Sequence, residues 1–226
     1  MKRHRWLQAE WPNPVRTLAK RIRQHSFSDE ERTGFIVDRV RDDFLEARYI
    51  ERYEFEETVS DPFGKELTLN RLEFRKTEFR ASSDWPGLEL IEAPRSIQTF
   101  VSELLQATDF SLPITPLFVD VMRWVDVFQD VTNTKVVIAS AQIGALQLED
   151  GVSAKVVVKG AKDVRDACKT LTRGKSYVME KIQFKVMQGQ ATATVLLANN
   201  AVAKVEGRDL QEEMLVAIRR ALPSPK

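Results

Sequence analysis

The chain has 226 residues, 43% of them hydrophobic and 30% charged, with nine Gly and nine Pro. That composition excludes a disordered or linker-rich protein, and the length suits one large domain or two small ones. The single cysteine, Cys168, excludes an intramolecular disulfide and a structural thiolate zinc site.

Net charge is +1, unevenly spread. Residues 1–25 hold seven Lys/Arg and one acid, residues 151–226 hold fourteen against seven, and residues 26–150 hold thirteen against twenty-five, a net of −12. Three regions follow: a basic arm and short helix (1–27), an acidic α+β region (28–131) and a basic α+β region (135–222), with a boundary near TNT at 132–134. The basic N-terminus has no apolar run behind it and does not read as a signal peptide. The most apolar segment, 113–128, is interrupted by Asp120, Arg123 and Asp126 and is too short to cross a bilayer. A cytoplasmic location is the expectation.

In chain order, MKRHRWLQAEWPNP reads as irregular. VRTLAKRIRQH then reads as a short helix, with Val15, Leu18 and Ile22 inward and Arg16, Lys20 and Arg23 in a separate basic row. SDEE places Ser28 as N-cap and Glu31 at N3, predicting a helix to about Ala47 with Val37, Val40 and Phe44 inward. The period then becomes two. RYIERYEFEETV aligns Tyr49, Tyr53, Phe55 and Val59, DPFG supplies a turn, and ELTLNRLEFRKTEFR returns as the second strand of a long hairpin. WPG at 85–87 is a break, and LELIEAP reads as a short strand. SIQTFVSELLQA reads as a helix, and so does TPLFVDVMRWVDVFQDV, with Thr115 as N-cap and Pro116 at N1. The last third reads strand (135–142), strand (152–159), helix (161–172), strands (176–187, 191–198, 201–206) in an antiparallel meander, and helix (209–221). The fold class is therefore α+β: antiparallel sheet with helices, an N-terminal helical arm and long β-hairpin, and a C-terminal ββαβββα unit.

The densest cationic stretch is KGAKDVRDACKTLTRGKSYVMEKIQFKV. Its helix places Val164, Ala167, Cys168 and Leu171 inward, with Lys162, Arg165, Lys169 and Arg173 along another face. In the flanking strands Lys155 and Lys159 share one face, and Lys181 and Lys185 share one face. Convergence of these side chains would form a surface for a phosphate polymer or for an acidic protein. In the N-terminal arm, Lys2, Arg3, Arg5, Trp6 and Trp11, with Arg16, Lys20 and Arg23 behind them, suggest a partner-docking tail, because two tryptophans are not left in water.

Catalytic residue types are scarce. The only histidines, His4 and His25, lie near the N-terminus, and neither a P-loop nor a dinucleotide fingerprint occurs. Asp61 with Glu73 in LEFRK is a weak resemblance in type to a metal-dependent nuclease site, against the plainer reading of cross-strand ion pairs. Asp126 and Asp130 read as the polar stripe of a helix, and Cys168 as a core residue. No cofactor, metal or membrane partner is expected. The leading expectation is a non-enzymatic subunit acting through protein contacts, with itself or another protein. A nucleic-acid-binding accessory protein is the first alternative and a divergent nuclease the second.

Overall fold

The computed structural model describes residues 2–11, 13–188, 191–207 and 210–223. Five helices and eleven strands occur among the described residues, and the α+β class holds. The chain forms two compact units, one of Met1–Trp6 with Pro116–Lys226 and one of Leu7–Thr115. Strand β1 (Arg3–Ala9) begins in the first and ends in the second.

The Leu7–Thr115 unit contains α1 (Val15–Gln24), β2 (Thr33–Val40), β3 (Phe44–Ser60), β4 (Glu66–Ser82), β5 (Gly87–Ile91) and α2 (Gln98–Ala107), and β6 (Ile114–Pro116) begins at its end. Its strands lie in the order β2-β3-β4-β5, followed by the end of β1. Leu18 and Ile22 of α1 and Phe100 and Leu104 of α2 pack with Phe35, Tyr49 and Phe79 from the sheet into one core. Phe35, Tyr49, Phe79 and Phe100 form a ring cluster with centroids 5.1 to 6.0 Å apart. Gly87, at φ +95°, lets Ala9 approach so closely that a Cβ there would lie 2.0 Å from the Ala9 carbonyl oxygen. That approach permits the bond from Ala9 N–H to the Pro86 carbonyl, 2.9 Å.

The other unit contains α3 (Val121–Thr132), β7 (Val137–Glu149), β8 (Val152–Lys159), α4 (Arg165–Thr172), β9 (Val178–Gln188), β10 (Ala191–Ala198), β11 (Val202–Glu206) and α5 (Gln211–Arg220). Its sheet runs from the start of β1 through β11-β10-β9-β7-β8. Ile182, Phe184 and Val186 of β9 and Val195 and Leu197 of β10 are fully buried on one face. That face is covered by helices: Phe128 of α3 meets Phe184 at 5.5 Å, and Trp124 of α3 meets Trp6 of β1 at 5.8 Å. Trp124 also donates its indole N–H to the Ile218 carbonyl of α5, 3.0 Å, which satisfies the polar atom of a fully buried ring.

Three expectations are corrected. Residues 3–9 are a strand, not an irregular arm. The alternation in RHRWLQA buries His4 and Trp6 and leaves Arg3 and Arg5 on the other side. The helix expected from Ser28 to Ala47 is absent; the Glu31 N–H bonds the Ser28 carbonyl in a turn, and β2 and the start of β3 follow. Gly34 shows why: its backbone meets that of Phe27, and a Cβ would sit 2.5 Å from it. Finally, α3 starts later than expected. Thr115 and Pro116 belong to β6, and Asp120 is the N-cap, its carboxylate accepting from the N–H groups of Met122 (2.9 Å) and Arg123 (3.2 Å).

Candidate interaction surfaces

In the Pro116–Lys226 unit the face opposite the helices carries no helix among the described residues, and strand pairing brings separate cations onto it. Residues opposite one another in an antiparallel pair share a face. One register row reads Lys159, Ser140, Gln183, Leu196, Lys204, Arg3 across β8, β7, β9, β10, β11 and β1. The next reads Val157, Gln142, Lys181, Ala198, Val202, Arg5. Neither row contains a carboxylate. Lys185 stands at one border, in a row with Val137, Thr194 and Glu206, and Lys155 stands at another.

Two acids border the rows. Glu206 is separated from Lys185 by the width of β10. Glu180 is neutralised: Lys155 Nζ lies 2.6 Å from its Oε2, and Gln142 donates to the same oxygen. Those two hydrogen bonds, that from Lys155 first, hold the Glu180 carboxyl below its ordinary pKa. Gly144 leaves room for the arrangement, since a Cβ there would lie 2.1 Å from Glu180 Oε1. Lys159, Lys181, Lys185 and Lys204 form no ion pair among the described residues.

The helical cations stand elsewhere. Arg165 donates to Gln129 Oε1 of α3 at 3.3 Å, on the helix-covered side, and lies 3.7 Å from Asp163. Lys169 faces Asp166, Lys162 lies in the loop before α4, and Arg173 is its C-cap. The convergence expected for eight cations is thus divided: Lys155, Lys159, Lys181 and Lys185 share the open sheet face, while Lys162, Arg165, Lys169 and Arg173 lie with α4. Sequence reasoning missed Lys204, although the alternation of VAKVE marks it as the residue facing away from Ala203 and Val205. Arg3 and Arg5 join this face through β1. Cys168 is buried on the inner face of α4, where desolvation pushes its thiol pKa up.

The residues expected in a docking arm are placed within the folded units. Trp6 is buried and Trp11 donates its indole N–H to the Gly87 carbonyl, 2.9 Å. Arg16, Lys20 and Arg23 lie on the exposed side of α1, Arg16 bonded to Asp42 at 2.8 Å.

The Leu7–Thr115 unit offers a different surface. β3 and β4 pair through seventeen register positions from Phe44↔Ser82 to Ser60↔Glu66, but β2 flanks β3 only as far as Glu51 and β5 flanks β4 only from Glu78. From Tyr53↔Glu73 outward the hairpin is a two-stranded arm of eight paired positions, on the order of 25 Å long. Its side chains are solvent-exposed although many are apolar. Phe55, Val59, Leu67 and Leu69 share one face, Leu72 lies on the other, and Phe63 at the tip is 95% exposed. Arg71 covers Phe55 at 5.6 Å and Arg75 covers Tyr53 at 4.3 Å. Asp61 organises the turn, accepting from the Phe63 and Lys65 N–H groups at 2.9 and 2.8 Å. Asp61 and Glu73 therefore stand at opposite ends of the arm, on the order of 25 Å apart, and do not share a site.

No group of three or more His, Cys, Asp or Glu able to hold a metal occurs among the described residues. No described helix is long and apolar enough to cross a membrane. No family model and no curated protein matches the chain.

Proposed function

We propose that this protein is a non-enzymatic cytoplasmic subunit that works through protein–protein contacts in a homo- or hetero-oligomeric complex, with the β3–β4 arm as the contact element. One observation carries the reading: the outer half of the hairpin extends past its flanking strands with six large apolar side chains, Phe55, Val59, Phe63, Leu67, Leu69 and Leu72, each at least 40% exposed. Contiguous exposed apolar surface marks a site of association. A two-stranded ribbon is also marginally stable alone in water. A partner that covers the ribbon removes apolar area from water and can pair with its unflanked backbone edges. A sequence without a phosphate-binding loop, or a histidine base outside the N-terminal segment, fits a role in assembly rather than chemistry.

The test shortens the arm without touching its root. Replacing residues 54–72 by Asn-Gly joins Tyr53 to Glu73 in the existing register through a two-residue turn. Light scattering after size exclusion should give the full chain a mass above the monomer, alone or with a co-expressed partner, and should return the shortened chain to monomer with its unfolding transition retained. A full-length chain that is monomeric and partnerless at every concentration overturns the reading.

A further inference from the structure

We propose that the open sheet face of the Pro116–Lys226 unit binds the phosphate backbone of a nucleic acid duplex. The surface is set by strand register, and neither the arm nor any oligomer enters into it. Lys159, Lys181, Lys185 and Lys204 project from β8, β9 and β11 and form no ion pair among the described residues. Arg5 extends the same face on β1. Between the cations stand Ser140, Gln142, Gln183 and Thr194, side chains that hydrogen-bond phosphate oxygens. From β8 to β1 the face spans five interstrand spacings, about 24 Å. That length matches about seven phosphates of one strand at ~3.4 Å each. Cations at both ends of a row, with polar side chains between, suit a repeating anion better than a single one.

The chemistry of the face selects duplex over single strand. Single-strand binders use aromatic side chains as stacking platforms for unpaired bases. The two register rows and the row of Lys185 contain no aromatic residue; their apolar members are Leu196, Ala198, Val202, Val157 and Val137. The geometry offers charge and hydrogen bonding to a backbone and nothing shaped to read a base edge, so binding is independent of sequence. The basic residues of α4 lie on the helical side and take no part.

Fluorescence anisotropy with labelled 20-base-pair DNA and RNA duplexes of mixed sequence tests this, with the matching single strand as competitor. The full chain should bind at low salt and weaken linearly in log–log, by about 0.9 per phosphate neutralised. Changing Lys159, Lys181, Lys185 and Lys204 together to Gln should lower affinity at least tenfold and flatten the salt slope by about 3 to 4. A DNA duplex and an RNA duplex of equal affinity identify backbone charge as the ligand; a preference for one names the source. The control Lys162→Gln, Lys169→Gln, Arg173→Gln, in α4 and beside its two ends, should bind within twofold of the natural chain. Circular dichroism checks the fold of each variant, and the single change Lys181→Gln, which should reduce the slope by about 1, serves if the fourfold variant does not fold. Equal binding by the folded fourfold variant overturns the proposal. So does loss confined to the α4 variant, tighter binding to the single strand, or a face that releases a second copy of the chain but never a duplex.

Discussion

The arm in the Leu7–Thr115 unit and the open face in the other unit are both exposed β surface, built from the same period-two alternation, and they expose opposite chemistry. The arm presents apolar side chains over a ribbon whose backbone edges are unflanked beyond Glu51 and Glu78. The open face presents lysines and amides over a backbone paired on both sides in β7, β9, β10 and β11. Burial of exposed apolar area is driven by dehydration, so association through the arm should tolerate salt. Association through the face depends on counterion release and should not. Alternation thus marks a strand in both places, while the residue type on its outward face decides what the strand is for.

Neither surface should contribute to the core, and substitutions can break that contrast. Phe79→Ala, in the ring cluster at the root of the hairpin, should destabilise the protein by about 3–5 kcal/mol. Phe55→Ala, beyond the flanked part of β3 and 40% exposed, should change stability by less than about 0.5 kcal/mol. Urea unfolding measures both. Comparable losses at the two positions would make the arm part of the core and remove the contrast.

Next in size is a double dissociation. Phe55→Ser with Leu69→Ser should abolish assembly through the arm and leave duplex binding within twofold. The fourfold lysine variant should do the reverse, with at least a tenfold loss for the duplex, equivalent to about 1.4 kcal/mol. Light scattering and anisotropy on the same samples read the two outcomes. Loss of both activities in either variant would merge the surfaces into one.

Two glycines sharpen the boundary between arm and body. At Gly64, φ +84°, an added Cβ would meet nothing within 4 Å, whereas at Gly87 the same atom would meet the Ala9 carbonyl at 2.0 Å. Gly64→Ala should cost about 1 kcal/mol of local backbone strain, confined to the arm's turn. Gly87→Ala adds a backbone collision to similar strain and should lower the global unfolding midpoint clearly further. Hydrogen exchange separates the cases, since the first should speed exchange only between Tyr53 and Glu73.

Much of this fold was legible because local patterns were unambiguous. Val15, Leu18 and Ile22 define α1, and DPFG between two alternating runs defines the β3–β4 turn. Elsewhere a local signal had two meanings. Ser28–Glu31 matches a capping box, yet the same residues close a turn, and only the approach of Gly34 to the Phe27 backbone distinguishes them. Thr115–Pro116 resembles a helix start, but Asp120 offers a carboxylate that reaches two free N–H groups. In the basic stretch the faces of the strands were readable and that of α4 only in part, since Val164 and Cys168 are buried but Ala167 is exposed, whereas their common direction was not. Which lysines share a surface depends on the register Lys159↔Ser140↔Gln183 and on α4 lying with α3, and both are tertiary facts. The exposure of Phe55 and Leu69 is equally invisible locally, because the strands that stop short of them lie elsewhere in the chain.

The smallest effect concerns the Lys155–Glu180 ion pair on the open face. Lys155 and Gln142 hold the Glu180 carboxyl below its ordinary value of 4.5. A carboxylate whose pKa is depressed on folding contributes stability above its unfolded pKa, and that contribution is lost as pH falls through the folded value. The window therefore opens near pH 4.5 and extends below it. Lys155→Met removes the larger cause and should move the Glu180 titration, followed by the NMR shift of its side-chain carboxyl carbon, up toward the ordinary value. Because Lys155 is largely exposed, 60% by side chain, solvent screens the pair and the stability change should stay below about 1 kcal/mol. Duplex binding should also weaken in this variant, since removing Lys155 leaves the Glu180 carboxylate without its cation on the face. A Glu180 titration unmoved by Lys155→Met would mean that Gln142 and Lys181 set it, leaving Lys155 as a fifth available lysine on the face.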